Sequence, residues 1–179
     1  HLSIRRQRQM CIRDSIDGSL DLIIGEAHST QDGVVFKFER QAVQEYFAKV
    51  TREGVIYYRE PIPNENGGVH IGRTIKVVGD MLEYARRVYE RFKYDGSCIV
   101  KLELGNIKGM CLTTSYPWFL RGNFTFDEDR VLIIERTPSW VDITQNPDSV
   151  IESITVEFCR SFHFSITEEV ARKYVTHAR

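Results

Sequence analysis

The residues best placed to do chemistry in this chain are two acids and a histidine near its beginning. Glu26 and His28 lie two positions apart, so on a β-strand both would point to one face, and Asp32 follows closely. Carboxylate and imidazole groups in such a cluster can bind a metal ion or transfer protons. The alternative is a polar strand end that runs into a turn. We favour the strand end, and a small metal-dependent hydrolase using this cluster is the competing interpretation.

A second candidate is a loop rich in aromatic residues, which is interrupted by one arginine. Its members are Tyr116, Trp118, Phe119, Arg121 and Phe124. Aromatic rings beside an arginine can anchor a partner protein or stack on nucleic-acid bases. They can equally hold a long loop against a sheet. A single positive charge neutralises little phosphate. The segment therefore predicts loop packing first, a protein or oligomer interface second and nucleic-acid stacking third.

The common catalytic and metal-binding motifs are missing from the sequence. It contains no G-x-S-x-G, no G-x-x-x-x-G-K-S/T and no H-E-x-x-H. Beyond the first 15 residues the cysteines are Cys98, Cys111 and Cys159, and no spacing resembles C-x-x-C. We expect these cysteines to be free thiols in a reducing compartment. The sequence thus predicts no cofactor, no metal site and a cytoplasmic location.

Residues 5–15 read RRQRQMCIRDS, and all of them match one translated frame of a transposase-type DNA library adapter. We therefore expect residues 1–15 to be a disordered, adapter-derived leader, and the native polypeptide, truncated at its front, to begin near Ile16. Without the leader the chain has 20 Lys and Arg against 24 Asp and Glu, and its formal charge changes from −1 to −4. Such a mildly acidic domain has no bulk positive charge with which to bind phosphate.

The first third of the chain has the spacing of strands. Apolar residues alternate with polar ones over Leu20–Ile24, and again over Val34–Phe38 after a turn that ends at Gly33. Val43–Tyr58 predicts a hairpin that turns at Gly54. A short helix over Arg40–Lys49 is the alternative for part of that segment.

A long helix and further strands follow. Thr74–Phe92 has apolar residues at spacings of three and four, and a glycine turn at Gly96 should end it. Cys98–Leu104 alternates as a strand, and Gly105-Asn106 predicts a tight hairpin to a return strand over 107–112. Val131–Ile134 is a run of four apolar residues, which is typical of a strand in the centre of a sheet.

Two helices are expected at the end of the chain. Asn146-Pro147 has the residue types of a helix start, and a buried stripe follows at Ile151, Ile154, Phe158 and Phe162. Ser165–Glu168 has the pattern of a capping box before a helix over Glu168–Val175.

The order of these elements predicts an α+β fold. We expect a single domain over residues 16–179, with a largely antiparallel sheet and two main helices, 74–92 and 147–163, packed on one of its faces. No apolar run approaches the length that a membrane span requires.

Four segments of the chain resemble a known bacterial arrangement: LEYARRVYERFKYDGSC, IVKLELGNIKGMCL, RVLIIERT and PDSVIESITVEFCRSF. They are similar to the region that lies C-terminal to the AlbA-type, Schlafen-like DNA-binding domain of many bacterial proteins. The resemblance covers about residues 43–162. It implies an accessory module of a DNA-associated or regulatory protein. The DNA-binding domain itself would lie in the missing front, so none of its contact residues is assigned here.

Together these observations favour a non-catalytic interaction or regulatory domain with no membrane association. The expected partners are the missing N-terminal domain of the same protein and another protein or a second copy, with nucleic acid reached only through the missing domain. The alternatives are the metal-dependent hydrolase described above and a domain that binds nucleic acid directly.

Overall fold

A computed structural model of the chain describes residues 26–31, 33–40, 44–51, 54–59, 68–94, 96, 98–115, 120 and 122–178. Over these residues the protein is an α+β fold, as expected. The strands are β1 (Glu26–Thr30), β2 (Gly33–Arg40), β3 (Gln44–Thr51), β4 (Ile56–Arg59), β5 (Gly68–His70), β6 (Val100–Leu104), β7 (Cys111–Thr113) and β8 (Leu132–Arg136). The helices are α1 (Ile71–Arg91), α2 (Trp140–Gln145), α3 (Pro147–Ser161) and α4 (Glu168–Ala178). The adapter-derived leader expected over residues 1–15 and the strand expected over Leu20–Ile24 lie outside the described residues.

The chain divides into two compact units. The first comprises residues 1–62 and 87–92, and the second comprises residues 63–86 and 93–179. Helix α1 contributes residues to both. The expectation of a single domain over 16–179 stays a prediction.

The first unit contains a four-stranded antiparallel sheet in the order β1-β2-β3-β4. Each strand follows its neighbour directly in sequence, so local hairpins account for all the pairing. The register places Phe36 opposite Ala48 and Val50 opposite Ile56. The hairpin predicted over Val43–Tyr58 is confirmed, and the alternative helix is wrong because residues 44–51 pair with strands on both sides.

Helix α1 follows β5 directly, and its predicted apolar stripe is buried in the first part of the helix, whereas Phe92 at its end is 53% exposed. Val78 and Leu82 are buried. The helix ends differently from the expectation: the residue in the left-handed conformation is Lys93, with φ 54°, three positions before Gly96. A turn of this kind favours glycine because it has no Cβ, but a lysine can occupy it at modest cost.

Pairing in the second unit is not local. β6 pairs with β8, with Leu102 opposite Ile134, and β5 pairs in parallel with β7. The tight hairpin expected at Gly105-Asn106 is therefore wrong. In its place the chain makes a further turn, in which the Met110 amide donates to the Ile107 carbonyl at 2.9 Å. Of the expected return strand over 107–112, only Cys111 and Leu112 lie in a strand, and that strand, β7, pairs with β5.

The central position expected for Val131–Ile134 is also wrong over the described residues, because β8 has β6 as its only strand neighbour there. The apolar run reflects two faces of one strand. Leu132 and Ile134 are buried, whereas Val131 and Ile133 are exposed.

The three C-terminal helices are separated by short, well-capped turns. Ser139 and Asp142 form a reciprocal capping box at the start of α2. Pro147 opens α3 as predicted, although the Asn146 side chain makes no capping hydrogen bond. Thr167, rather than Ser165, caps α4: its hydroxyl accepts a hydrogen bond from the Val170 amide at 3.3 Å.

An apolar layer between α1 and α3 forms the centre of the second unit. Ile75 and Val78 of α1 face Ile151, Ile154 and Phe158 of α3. The stripe predicted for α3 is confirmed, since all four of its members are buried. On another side of α3, Arg136 of β8 donates hydrogen bonds to the Glu157 carboxylate and the Ser153 carbonyl. These contacts fix the sheet β6–β8 against α3.

Candidate functional site

The predicted aromatic surface is described at one of its five residues. The Phe124 ring packs against the Phe164 ring with a centroid distance of 4.6 Å. The backbone carbonyl of Phe124 accepts a hydrogen bond from the Leu112 amide at 2.7 Å. At this position the aromatic ring holds its loop against the fold. The other four members, Tyr116, Trp118, Phe119 and Arg121, lie outside the described residues, so an interface there stays a prediction.

The predicted acid and histidine cluster is described only in part. Glu26 and His28 lie in β1, where they pair in register with Lys37 and Val35 of β2. Asp32 lies outside the described residues. Where side chains are described, no three His, Cys, Asp or Glu residues gather in a metal-binding arrangement. The hydrolase interpretation therefore stays a prediction.

A polar contact that the sequence did not indicate joins His70 to Ser115. The two residues lie at the carboxyl ends of the parallel strands β5 and β7, where α1 begins. The His70 Nε2 is 3.0 Å from the Ser115 Oγ, and the His70 Nδ1 accepts a hydrogen bond from the Arg73 amide at 3.2 Å. Because these residues are 45 positions apart, only the β5–β7 pairing brings them together.

The hydrogen bonds of His70 determine its chemistry. A backbone N–H can only donate, so the Nδ1 that receives it carries no proton, and the proton of the neutral ring lies on Nε2. Burial, followed by the positive charge of Arg73, lowers the pKa of His70 below its ordinary value of 6.5. A histidine that activates a serine needs the opposite tautomer, with an unprotonated nitrogen facing the hydroxyl. His70 is therefore a helix cap, and Ser115 is its hydrogen-bond acceptor.

The cysteines whose pKa is shifted have thiols that are hard to ionise. Burial raises the pKa of Cys159 to about 12 and also raises the pKa of Cys98. Because the thiolate is the reactive form, neither residue has the environment of a nucleophile. The structure describes Cys98, Cys111 and Cys159 as free cysteines.

Three of the exposed large apolar residues of the second unit lie on one face of the sheet β6–β8, whereas Tyr94 and Val141 are exposed elsewhere. We call this surface the outer face, and it consists of Ile99, Lys101, Glu103, Val131, Ile133 and Glu135. Ile99 is 70% exposed, Ile133 50% and Val131 47%, and the three charged members are also exposed. The opposite face of the same strands carries Leu104, Leu132 and Ile134, which are buried.

Sequence reasoning missed the outer face although its signal was present. The run Val131–Ile134 was interpreted as a strand in the centre of a sheet. The structure shows the same run with one face covered by α3 and the other in contact with solvent.

Comparison with known proteins gave no match, whether to family models, to curated proteins or to solved structures. The resemblance to the region following AlbA-type domains therefore rests on the sequence segments alone. None of the described helices is both long enough and apolar enough to span a bilayer.

Proposed function

We propose that this chain is a non-catalytic interaction or regulatory module of a larger, DNA-associated bacterial protein of the cytoplasm. The observation that carries the proposal is the outer face. Three aliphatic side chains with about half or more of their surface exposed lie on one small sheet, next to charges of both signs. Protein interfaces commonly combine an apolar centre with a charged, solvent-accessible rim.

The assignment of His70 supports the same conclusion. The described histidine that faces a hydroxyl is committed to capping α1, in the tautomer that cannot accept the serine proton. The sequence resemblance supports placement in a DNA-associated protein, because it aligns this chain with the segment after a DNA-binding domain.

Photo-crosslinking in the protein's own host cells tests the proposal. A benzoylphenylalanine residue replaces Ile133 on the outer face, and a matched variant carries it in place of Gln145, which is exposed at the end of α2. We expect protein adducts at position 133 that are much weaker at position 145. Equal adducts at both positions, or none at either, would refute an interaction role for the outer face.

A further inference from the structure

The outer face has a charge pattern that is complementary to itself. In the register of β6 and β8, Lys101 lies opposite Glu135, and Glu103 lies opposite Ile133. Lys101 also forms an ion pair with Glu103 on its own strand. The one lysine is thus adjacent to a carboxylate both across the sheet and along the strand.

This arrangement has a consequence for two copies packed face to face. Consider first a two-fold axis that lies between the two faces and runs parallel to the strands. It places β6 of one copy over β8 of the other, so that Lys101 of one copy meets Glu135 of the other. A two-fold axis perpendicular to the strands instead places each β6 over the β6 of the other copy in the reverse direction, so that Lys101 of one copy meets Glu103 of the other. When the axis passes midway between Lys101 and the carboxylate concerned, the packing places each lysine over a carboxylate of the second copy and the remaining glutamate over Ile133. The lysine contacts favour association and fix its register.

We propose that the outer face binds a second copy of this chain, giving a symmetric dimer in which two β6–β8 sheets pack against each other. The proposal rests on the proposed function and names the partner. Sheets that pack in this way keep their strands roughly aligned and interdigitate the side chains of the facing surfaces. Ile99, Val131 and Ile133 would form the apolar contact.

The area of the outer face determines how tightly the two copies are expected to bind. Two five-residue strands present a surface about 17 Å long and about 10 Å wide. This is smaller than the roughly 800 Å² that each partner contributes to a stable complex. We therefore expect a reversible dimer whose population depends on concentration, with a dissociation constant in the micromolar range or weaker.

Sedimentation velocity of the full chain, from about 10 μM to about 1 mM, tests the proposal. We expect the weight-average sedimentation coefficient to rise with concentration. In Lys101→Glu the carboxylates face one another, and the dissociation constant should increase by about tenfold. Lys173→Glu is the matched control, because it also reverses a lysine that pairs with a nearby glutamate on the same element. It should leave the dissociation constant unchanged.

Charge exchange identifies the symmetry axis. If the axis runs along the strands, the double variant Lys101→Glu with Glu135→Lys should restore association. If the axis runs across them, Lys101→Glu with Glu103→Lys should restore it. Restoration by neither double variant, or an equal loss in Lys101→Glu and Lys173→Glu, would overturn the proposed pairing.

A chain that stays monomeric over the whole concentration range would overturn the proposal of a dimer. The crosslinking experiment separates this outcome from failure of the proposed function. Adducts at position 133 with a different protein, together with a monomeric purified chain, would leave an interaction module whose partner is not a second copy. A monomer with no adducts would remove both proposals.

Discussion

At the scale of single residues, His70 caps α1 through the Arg73 amide and also contacts Ser115, which is distant in the sequence. The sequence could not reveal the contact of His70 with Ser115, since this contact depends on a parallel strand pair that joins distant segments. By contrast, the capping role of residues near a helix start, such as Ser139 with Asp142, arises from neighbours three positions apart. Local partners are readable from sequence spacing, and distant ones are not.

The capping role of His70 makes stability depend on pH. Its pKa is lowered in the folded state, so the stabilisation is present above the unfolded value of 6.5 and is lost as pH falls through the folded value. We expect His70→Asn, which can also cap the helix but does not titrate, to lose less stability than the wild type between about pH 7.5 and about pH 5.5. Urea unfolding at each pH measures this. Parallel curves for the two proteins would show that His70 does not act as an uncharged cap.

His163 has a left-handed backbone at the end of α3, with φ 61°. The Phe164 amide donates to the Cys159 carbonyl and the His163 amide to the Arg160 carbonyl, which is the hydrogen-bond pattern of a Schellman turn. We expect His163→Gly to raise the free energy of unfolding by about 0.5–1 kcal/mol, because glycine adopts this conformation without a Cβ clash.

The control for this substitution is His177→Gly. His177 lies in the last turn of α4 and has no positive φ, so glycine there should cost up to about 1 kcal/mol. Urea unfolding in about 0.5 M salt screens the exposed contact between His163 and Asp127. Destabilisation by both glycines would contradict the role given to the turn.

At the scale of elements, the sequence predicted what depends on neighbours along the chain. The hairpin of β3 and β4 and the helices α1, α3 and α4 were all recognised from periodicity and turn residues. The partners of β6 and β7 were not. Leu102 pairs with Ile134 across a segment that contains β7, whereas the tight Gly105-Asn106 signal favoured a local return strand. Nothing in the local pattern distinguishes these two pairings, because both satisfy the same alternation.

The parallel pairing of β5 with β7 depends on Gly68. A Cβ at this position would lie 2.4 Å from the Thr113 Cγ2 and 2.7 Å from the Cys111 carbonyl oxygen. We expect Gly68→Ala to lower the free energy of unfolding by about 1–3 kcal/mol, because the backbone of one strand must move. Gly105→Ala is the control, since a Cβ there meets nothing within 4 Å. Chemical denaturation of both variants measures the difference, and equal stabilities would contradict the close approach of the two strands.

At the scale of the whole molecule, charge limits the direct partners. The full chain has a formal charge of −1, and the part beyond residue 15 has −4. Several cations of α1 are already paired on their own helix, as in Lys76 with Asp80 and Arg86 with Glu83. Nucleic-acid affinity depends on the number of phosphates neutralised, so this molecule has little basis for generic binding.

A gel-shift experiment with generic duplex DNA tests this argument. We expect no shifted band for residues 16–179 at about 150 mM salt, and at most a weak one at about 50 mM. A band that survives the higher salt would show that a local cationic surface outweighs the net charge. The nucleic-acid alternative would then be preferred over a protein interaction module.

The most direct test of the account is a dilution series followed by backbone amide NMR of the unmodified chain. If the outer face joins two copies, the amide signals of residues 99–103 and 131–135 should move between about 1 mM and about 20 μM, while those of β5 and β7 stay in place. Signals that do not move, or that move mainly outside the β6–β8 sheet, would contradict the claim that the outer face joins two copies.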